Sequence, residues 1–183
     1  MQQRLKYHIH YVVDYDLILK LNIKNIYKIP KKTSIILQSN QKKLLVDPTI
    51  MYPLYGCFEL LSFQRPIFSI SKNAVSSFQL RKEQVLGCLV TLKKLNLYYF
   101  FDKLIFLYFP KIKSLELQTV KFLKKRFVYA FGLKSVIPFE DIEYQYLKTE
   151  LNFGLNVFIM FKKVGNPKNI PLFLSALQFP LKK

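Results

Sequence analysis

Leu86-Gly87-Cys88-Leu89-Val90-Thr91-Leu92-Lys93 is followed at once by the run from Leu95 to Phe109, and the reading of this pair decides the fold. The first segment alternates and carries β-branched residues, so it predicts a strand. The second is apolar and aromatic nearly all round, which predicts a helix buried in protein and stopped by Pro110. Asp102 and Lys103 stand at its middle. Hydrocarbon would penalise that pair by several kcal/mol, and no other stretch approaches the roughly 20 apolar residues of a spanning helix. Membrane insertion is therefore not expected.

Working outward from this pair, Lys111 to Arg126 reads as basic and irregular, and Phe127 to Ile137 as an extended, aromatic segment containing Gly132. Gly154 to Lys162 reads as a strand and Pro167 to Leu177 as a closing helix with proline near its first turn. On the other side, Ser71 to Gln84 is a polar loop, and Pro66 to Ile70 is a strand, since proline is tolerated at a strand's first position. Thr49 to Phe63 is a helix with Pro53 and Gly56 in its early turns, residues 39 to 48 are a loop, and Thr33 to Gln38 is a strand. Residues 8 to 22 predict a helix, with Leu5, His8, Val12, Tyr15, Leu19 and Asn22 able to share one face. Strands and helices mixed without a βαβ rhythm predict an α+β class. At 183 residues the chain fits a single domain over 1–183, residues 1–24 being a divergent N-terminal helix region.

The chain is 51% hydrophobic and carries 29 Lys plus Arg against 11 Asp plus Glu, a net charge of +18. So much apolar content excludes a disordered basic tail, and so much positive charge predicts a polyanionic partner. Only four of the cations are Arg. Lysine contacts phosphate as a point charge, so recognition by RNA shape and backbone is expected more than base readout. Abundant Lys, Phe, Tyr, Ile and Asn, with no Trp, suit an A+T-rich coding sequence of the kind organelles carry. The opening Met-Gln-Gln-Arg lacks the Arg- and Ser-rich amphipathic pattern of an imported precursor. A protein made inside a mitochondrion is the expectation, in preference to a plastid. Cys57 and Cys88 are expected to be reduced and buried.

Catalytic chemistry finds little support. His8 and His10 are the only histidines, and no carboxylate or cysteine completes a metal set of known spacing around them. Glu140, Asp141 and Glu143 form the acidic cluster and read as a solvated turn, because acid/base pairs need opposed carboxylates in distinct environments. Phosphate loops and nucleophile elbows are absent, with five glycines in the whole chain. The reading is a non-enzyme without catalytic residues, metal or cofactor.

From Ser62 onward the residues resemble the bacterial-type large-subunit ribosomal protein five family, which binds 5S rRNA. Ser62-Phe63-Gln64-Arg65-Pro66 resembles S-G-Q-[KR]-P, Phe78-Gln79-Leu80-Arg81 resembles F-K-[IL]-R, and Leu86 to Lys93 resembles I-G-C-K-V-T-L-R. Tyr99 to Ile105 with Phe109-Pro110-Lys111-Ile112-Lys113 resembles the family's helix and its P-R-[IV]-R exit. Tyr129, Gly132, Phe139, Ile142 and Tyr144 keep register, and Phe179-Pro180-Leu181-Lys182-Lys183 resembles the F-P-[FL]-R-K end. Ile29-Pro30-Lys31 and Ile35-Ile36-Leu37 match the first strand. Two departures stand out: Gln38-Ser39-Asn40-Gln41-Lys42 replaces N-M-G-V-G, and Lys125-Arg126-Phe127-Val128 replaces G-R-G-N. Both exchange backbone approach through glycine for side chains.

The resemblance implies an antiparallel-rich mixed sheet with helices packed on one face and an open face toward RNA. Carried over residue by residue, it implies rRNA contacts at Lys31, Lys32, Gln38, Gln64, Arg65, Arg81 and Lys93, on 5S rRNA or its replacement in the central protuberance. Lys72 and Phe78 are the implied contacts to the P-site tRNA elbow, with packing on the body as the other role open to Phe78. The implied partners are large-subunit rRNA, P-site tRNA, neighbouring large-subunit proteins and a small-subunit head protein across an intersubunit bridge. An organellar RNA-binding or RNA-processing factor outside the ribosome is the alternative.

Overall fold

Period-two burial builds the sheet. Ile35, Leu37 and Ser39 of β1 (Lys32–Asn40) are buried while Ile36 and Gln38 between them are half-exposed, and Leu155, Val157, Ile159 and Phe161 of β6 (Leu155–Phe161) repeat the pattern. The computed structural model describes residues 4–112, 118–123, 127–143, 152–162 and 169–180. With β2 (Ile67–Ile70), β3 (Val85–Leu92), β4 (Gln118–Leu123) and β5 (Val128–Leu133), the strands form one sheet in the order β2-β3-β1-β6-β5-β4. Every neighbouring pair is antiparallel, so the α+β reading holds and the sheet is antiparallel throughout.

All the covering helices lie on one face. The inward residues Leu37, Val90, Phe131 and Val157 join one apolar cluster with Leu17 of the N-terminal helix, Phe58 of the second helix (Met51–Ser62), Phe101 of the central helix and Phe173 of the closing helix (Asn169–Ala176). Phe179 pins the end of the chain to this core, with its ring 5.0 Å from Phe109, 5.3 Å from Phe131 and 5.7 Å from Tyr129. Edge-to-face geometry of this kind adds about 1 kcal/mol per pair beyond burial.

Several boundaries differ from the sequence reading. The central helix starts at Lys94 and runs through a π turn, Leu104–Tyr108, to Lys111, so Pro110 lies inside its last turn. The Phe109 N–H reaches back to the Leu104 carbonyl, a wider turn ahead of a residue that has no N–H to give. Pro53 sits in the first turn of the second helix, where its missing donor would be unpaired in any case. The stretch 39–48 is not all loop, because β1 continues through Asn40 and short 3₁₀ turns follow at Lys42–Leu45 and Pro48–Ile50. The stretch read as irregular, 111–126, contains β4. The side chains of the basic run 113–126, Tyr144, the start of the closing helix at Pro167 and the last three residues lie outside the described residues.

The N-terminal helix comprises Arg4–His8, a π turn at Ile9–Val13 and Asp14–Leu21, closed by Asn22 in the left-handed conformation. Leu5, Val13 and Leu17 face the core. Of the residues predicted to share one face, His8, Val12, Tyr15, Leu19 and Asn22 are exposed, whereas Leu5 is buried in the core.

Candidate nucleic-acid interface

The open face consists of the positions between the buried ones. Register aligns Ile67, Leu89, Gln38, Asn156 and Gly132 in one row across the sheet, and Thr91, Ile36, Phe158 and Ala130 in the next. A third row holds Ser69, Gly87 and Asn40, where the Ser69 hydroxyl donates to Asn40 Oδ1 at 3.0 Å across the glycine. A Cβ on Gly87 would lie 2.9 Å from the Asn40 Cα and collide with the Ser39 carbonyl, so only glycine lets the strands meet there. None of the residues named in these rows is charged, and the register carries the second row on from Ala130 to Lys121 of β4.

Cations gather where the strands end. Lys31 precedes β1, Lys42 and Lys43 follow it, Arg65 precedes β2, Lys93 follows β3 and Lys162 follows β6, all of them exposed. A face that mixes amides, hydroxyls and one aromatic ring with the aliphatic Ile36, Ile67 and Leu89, fringed by positive charge, suits a polyanion whose bases lie over the sheet and whose phosphates reach the rim.

Among the residues predicted for RNA, Gln38 stands in the first row and its amide donates weakly to Asn40 Oδ1 at 3.5 Å. Arg65 and Lys93 belong to the rim. Gln64 is half-buried, held through its backbone by the Ser62 hydroxyl at 3.2 Å and 2.8 Å. Arg81, Lys72 and Phe78 lie on the 71–84 loop, which is closed by Ser71 and Gln84 backbone bonding and by a bridge between Val75 and Leu80. Phe78 ends a 3₁₀ turn, Ser76–Phe78, and is 68% exposed, so it is not packed down as an anchor.

Lys32 is turned inward. Its Nζ is buried without a hydrogen-bond partner, 3.8 Å above the Phe101 ring and 4.9 Å from that of Tyr98. Burial drives its pKa down to about 7, while the nearby Asp102 carboxylate pulls it upward. Reaching a phosphate would require this side chain to swing out of the body.

The acidic cluster is solvent-exposed as read, but it is a helix rather than a turn. Residues 140–143 are helical, Asp141 pairs with Lys103 at 2.5 Å, and Glu140 and Glu143 pair with Lys111 at 3.4 Å and 3.6 Å. These carboxylates tie one helix to another. His10 lies 3.6 Å from Asp14 on the N-terminal helix. Cys57 and Cys88 are free and buried, and burial pushes the Cys88 thiol up to about 11. Among the described residues no group of metal-binding side chains converges, and no helix is long and apolar enough to cross a membrane.

Sequence reasoning missed Asn40, Ser69, Thr91, Asn156 and Phe158. The alternation in 35–40 and 155–161 was a usable signal of parity, but which strands lie side by side is set by pairing between distant segments.

Residues 85–181 match the model of the ribosomal L5P family C-terminus. The chain is 33% identical over 181 residues to the large ribosomal subunit protein uL5m of Reclinomonas americana, covering 98% of each. It is 30% identical over 179 residues to uL5 of Nitrosomonas eutropha, again covering 98% of each. With uL5 of Clostridium perfringens it shares 29% over 125 residues, 68% of this chain and 70% of that one.

Proposed function

The chain belongs to the ribosomal L5P family and is a structural constituent of the large ribosomal subunit, not an enzyme, and from that premise we propose where and how it works. It acts in the mitochondrial large subunit, in the central protuberance. Its open sheet face receives rRNA, either 5S rRNA or a replacement. The observation that carries this is the uncharged face of Gln38, Asn40, Thr91, Asn156 and Phe158 bounded by Lys31, Arg65 and Lys93. Lys31, Arg65, Arg81 and Lys93 supply phosphate contacts, Gln38 a base or ribose contact, and Gln64 holds the start of β2. Lys32 acts from inside the body unless the RNA draws it out.

The 71–84 loop, with exposed Lys72 and Phe78 on a braced hairpin, is the element proposed to touch the P-site tRNA elbow. Neighbouring loops are proposed to bridge to a protein of the small-subunit head. The A+T-type composition and the similarity to uL5m support the mitochondrial setting.

Sedimenting detergent-solubilised mitochondria through sucrose at high salt tests the assignment. The protein is expected to travel with large subunits. Recovery only in the soluble pool or the membrane pellet would sink the reading.

A further inference from the structure

The N-terminal helix has two apolar faces, and the core uses one. Leu5, Val13 and Leu17 are at most 6% exposed, whereas Tyr7, Tyr11 and Tyr15 are 58%, 61% and 60% exposed, Leu19 80% and Val12 46%. Tyr7, Tyr11, Tyr15 and Leu19 follow one another at every fourth residue, which makes a continuous ridge along the helix surface. The Tyr7 and Tyr11 rings stand parallel, 7° apart in plane with centroids 6.2 Å apart, so part of the ridge is ordered before anything binds it. Tyrosine of this kind offers a large contact area for the loss of few rotatable bonds. The five side chains together present on the order of 500 Å², against roughly 800 Å² for one side of a stable protein interface.

Charge decides what kind of partner fits. The molecule carries +18, yet the ridge holds no Lys or Arg and is flanked by His8, Asp16 and His10, whose ring stands edge-on to Tyr11 at 5.2 Å and lies 3.6 Å from the Asp14 carboxylate. Exposed Lys6 and Lys20 stand near its two ends. A polyanion is drawn to the cationic strand ends rather than to this strip. An aromatic centre poor in charge with a polar rim is instead the composition of a protein interface.

We propose that the Tyr7-Tyr11-Tyr15-Leu19 ridge docks a neighbouring protein of the large subunit, through an apolar helix face or groove whose rim carries the acidic residues that meet Lys6 and Lys20. The proposal rests on the ribosomal reading and concerns a surface on the other side of the helix from the core, separate from the sheet face assigned to RNA.

Nitration with tetranitromethane followed by mass spectrometry tests occupancy, and ruthenium-sensitised photo-cross-linking identifies the occupant. In the free chain Tyr7, Tyr11 and Tyr15 are expected to react. In intact large subunits their reaction is expected to fall by at least about tenfold, as for rings taken into an interface core. The adduct should map to an apolar segment of another ribosomal protein flanked by Asp or Glu. Undiminished reactivity in subunits, an adduct to a nucleotide, an adduct to a second copy of this chain, or one to a protein segment without that composition would each overturn the proposal. Absence of the chain from large subunits would remove the ribosomal reading first and this one with it.

Discussion

Gly87 of β3 stands opposite Asn40 of β1. A methyl group there meets the Ser39 carbonyl and lies 2.9 Å from the Asn40 Cα, and both are backbone atoms inside a paired strand that have no rotamer to yield. Gly87→Ala is therefore expected to cost about 1–3 kcal/mol, as overpacking does, and to lower the midpoint of chemical denaturation accordingly. An unchanged midpoint would mean that β1 and β3 separate freely.

Lys32 makes the opposite kind of prediction. Its folded pKa of about 7 lies below the unfolded value of 10.5, so between these values the unfolded chain binds the extra proton. Stability then rises as pH climbs from about 7 toward 10.5, and the penalty is fully present below 7. Lys32→Met should remove that slope and raise the melting temperature at neutral pH. A slope that survives the substitution would assign the titration to another group.

Among the elements, the 71–84 loop carries its cationic side chains on a short braced hairpin, with Ser71 buried at its base and bonded through its N–H to the Gln84 carbonyl at 2.9 Å. Lys72 is exposed and touches no part of the core. Lys72→Glu is accordingly expected to leave folding and subunit assembly intact while slowing peptide synthesis in a translation assay. A normal rate would count against contact with tRNA.

The elements also show where local reading loses its hold. The Leu86–Lys93 strand and the long aromatic helix were legible because each carries its own period, two in one and a nearly continuous apolar run in the other. Strand β4 was not legible, because Gln118–Leu123 lies in a basic stretch and is made a strand by pairing with Val128–Leu133. The acidic cluster misled for a related reason. Lys103, which pairs with Asp141, lies 38 residues earlier in the chain, and Lys111 ends the same helix with two strands between it and the carboxylates it meets.

At the scale of the whole molecule, the +18 charge and its concentration at strand ends make affinity for RNA depend on salt. The logarithm of the binding constant should fall linearly with the logarithm of salt concentration, with a slope of about −0.7 to −0.9 per phosphate neutralised. Arg65→Ala and Arg81→Ala are each expected to flatten that slope by about 1 in a filter-binding or anisotropy titration. Asn156→Ala, on the uncharged face, should weaken binding while leaving the slope alone. Equal changes of slope for all three would remove the distinction between rim and face.

Class, charge and family were determined by the sequence alone, because composition, periodicity and motif spacing are properties of the chain that need no knowledge of its folded neighbours. The non-enzymatic character follows from that family membership. Tertiary structure decided which parity of each strand faces outward beside which other strand, that Lys32 turns inward over Phe101, and that the predicted side of the N-terminal helix with Val12, Tyr15 and Leu19 meets solvent. Those outcomes depend on pairing and packing between segments far apart in the chain, where burial of one side chain is settled by what another element places above it.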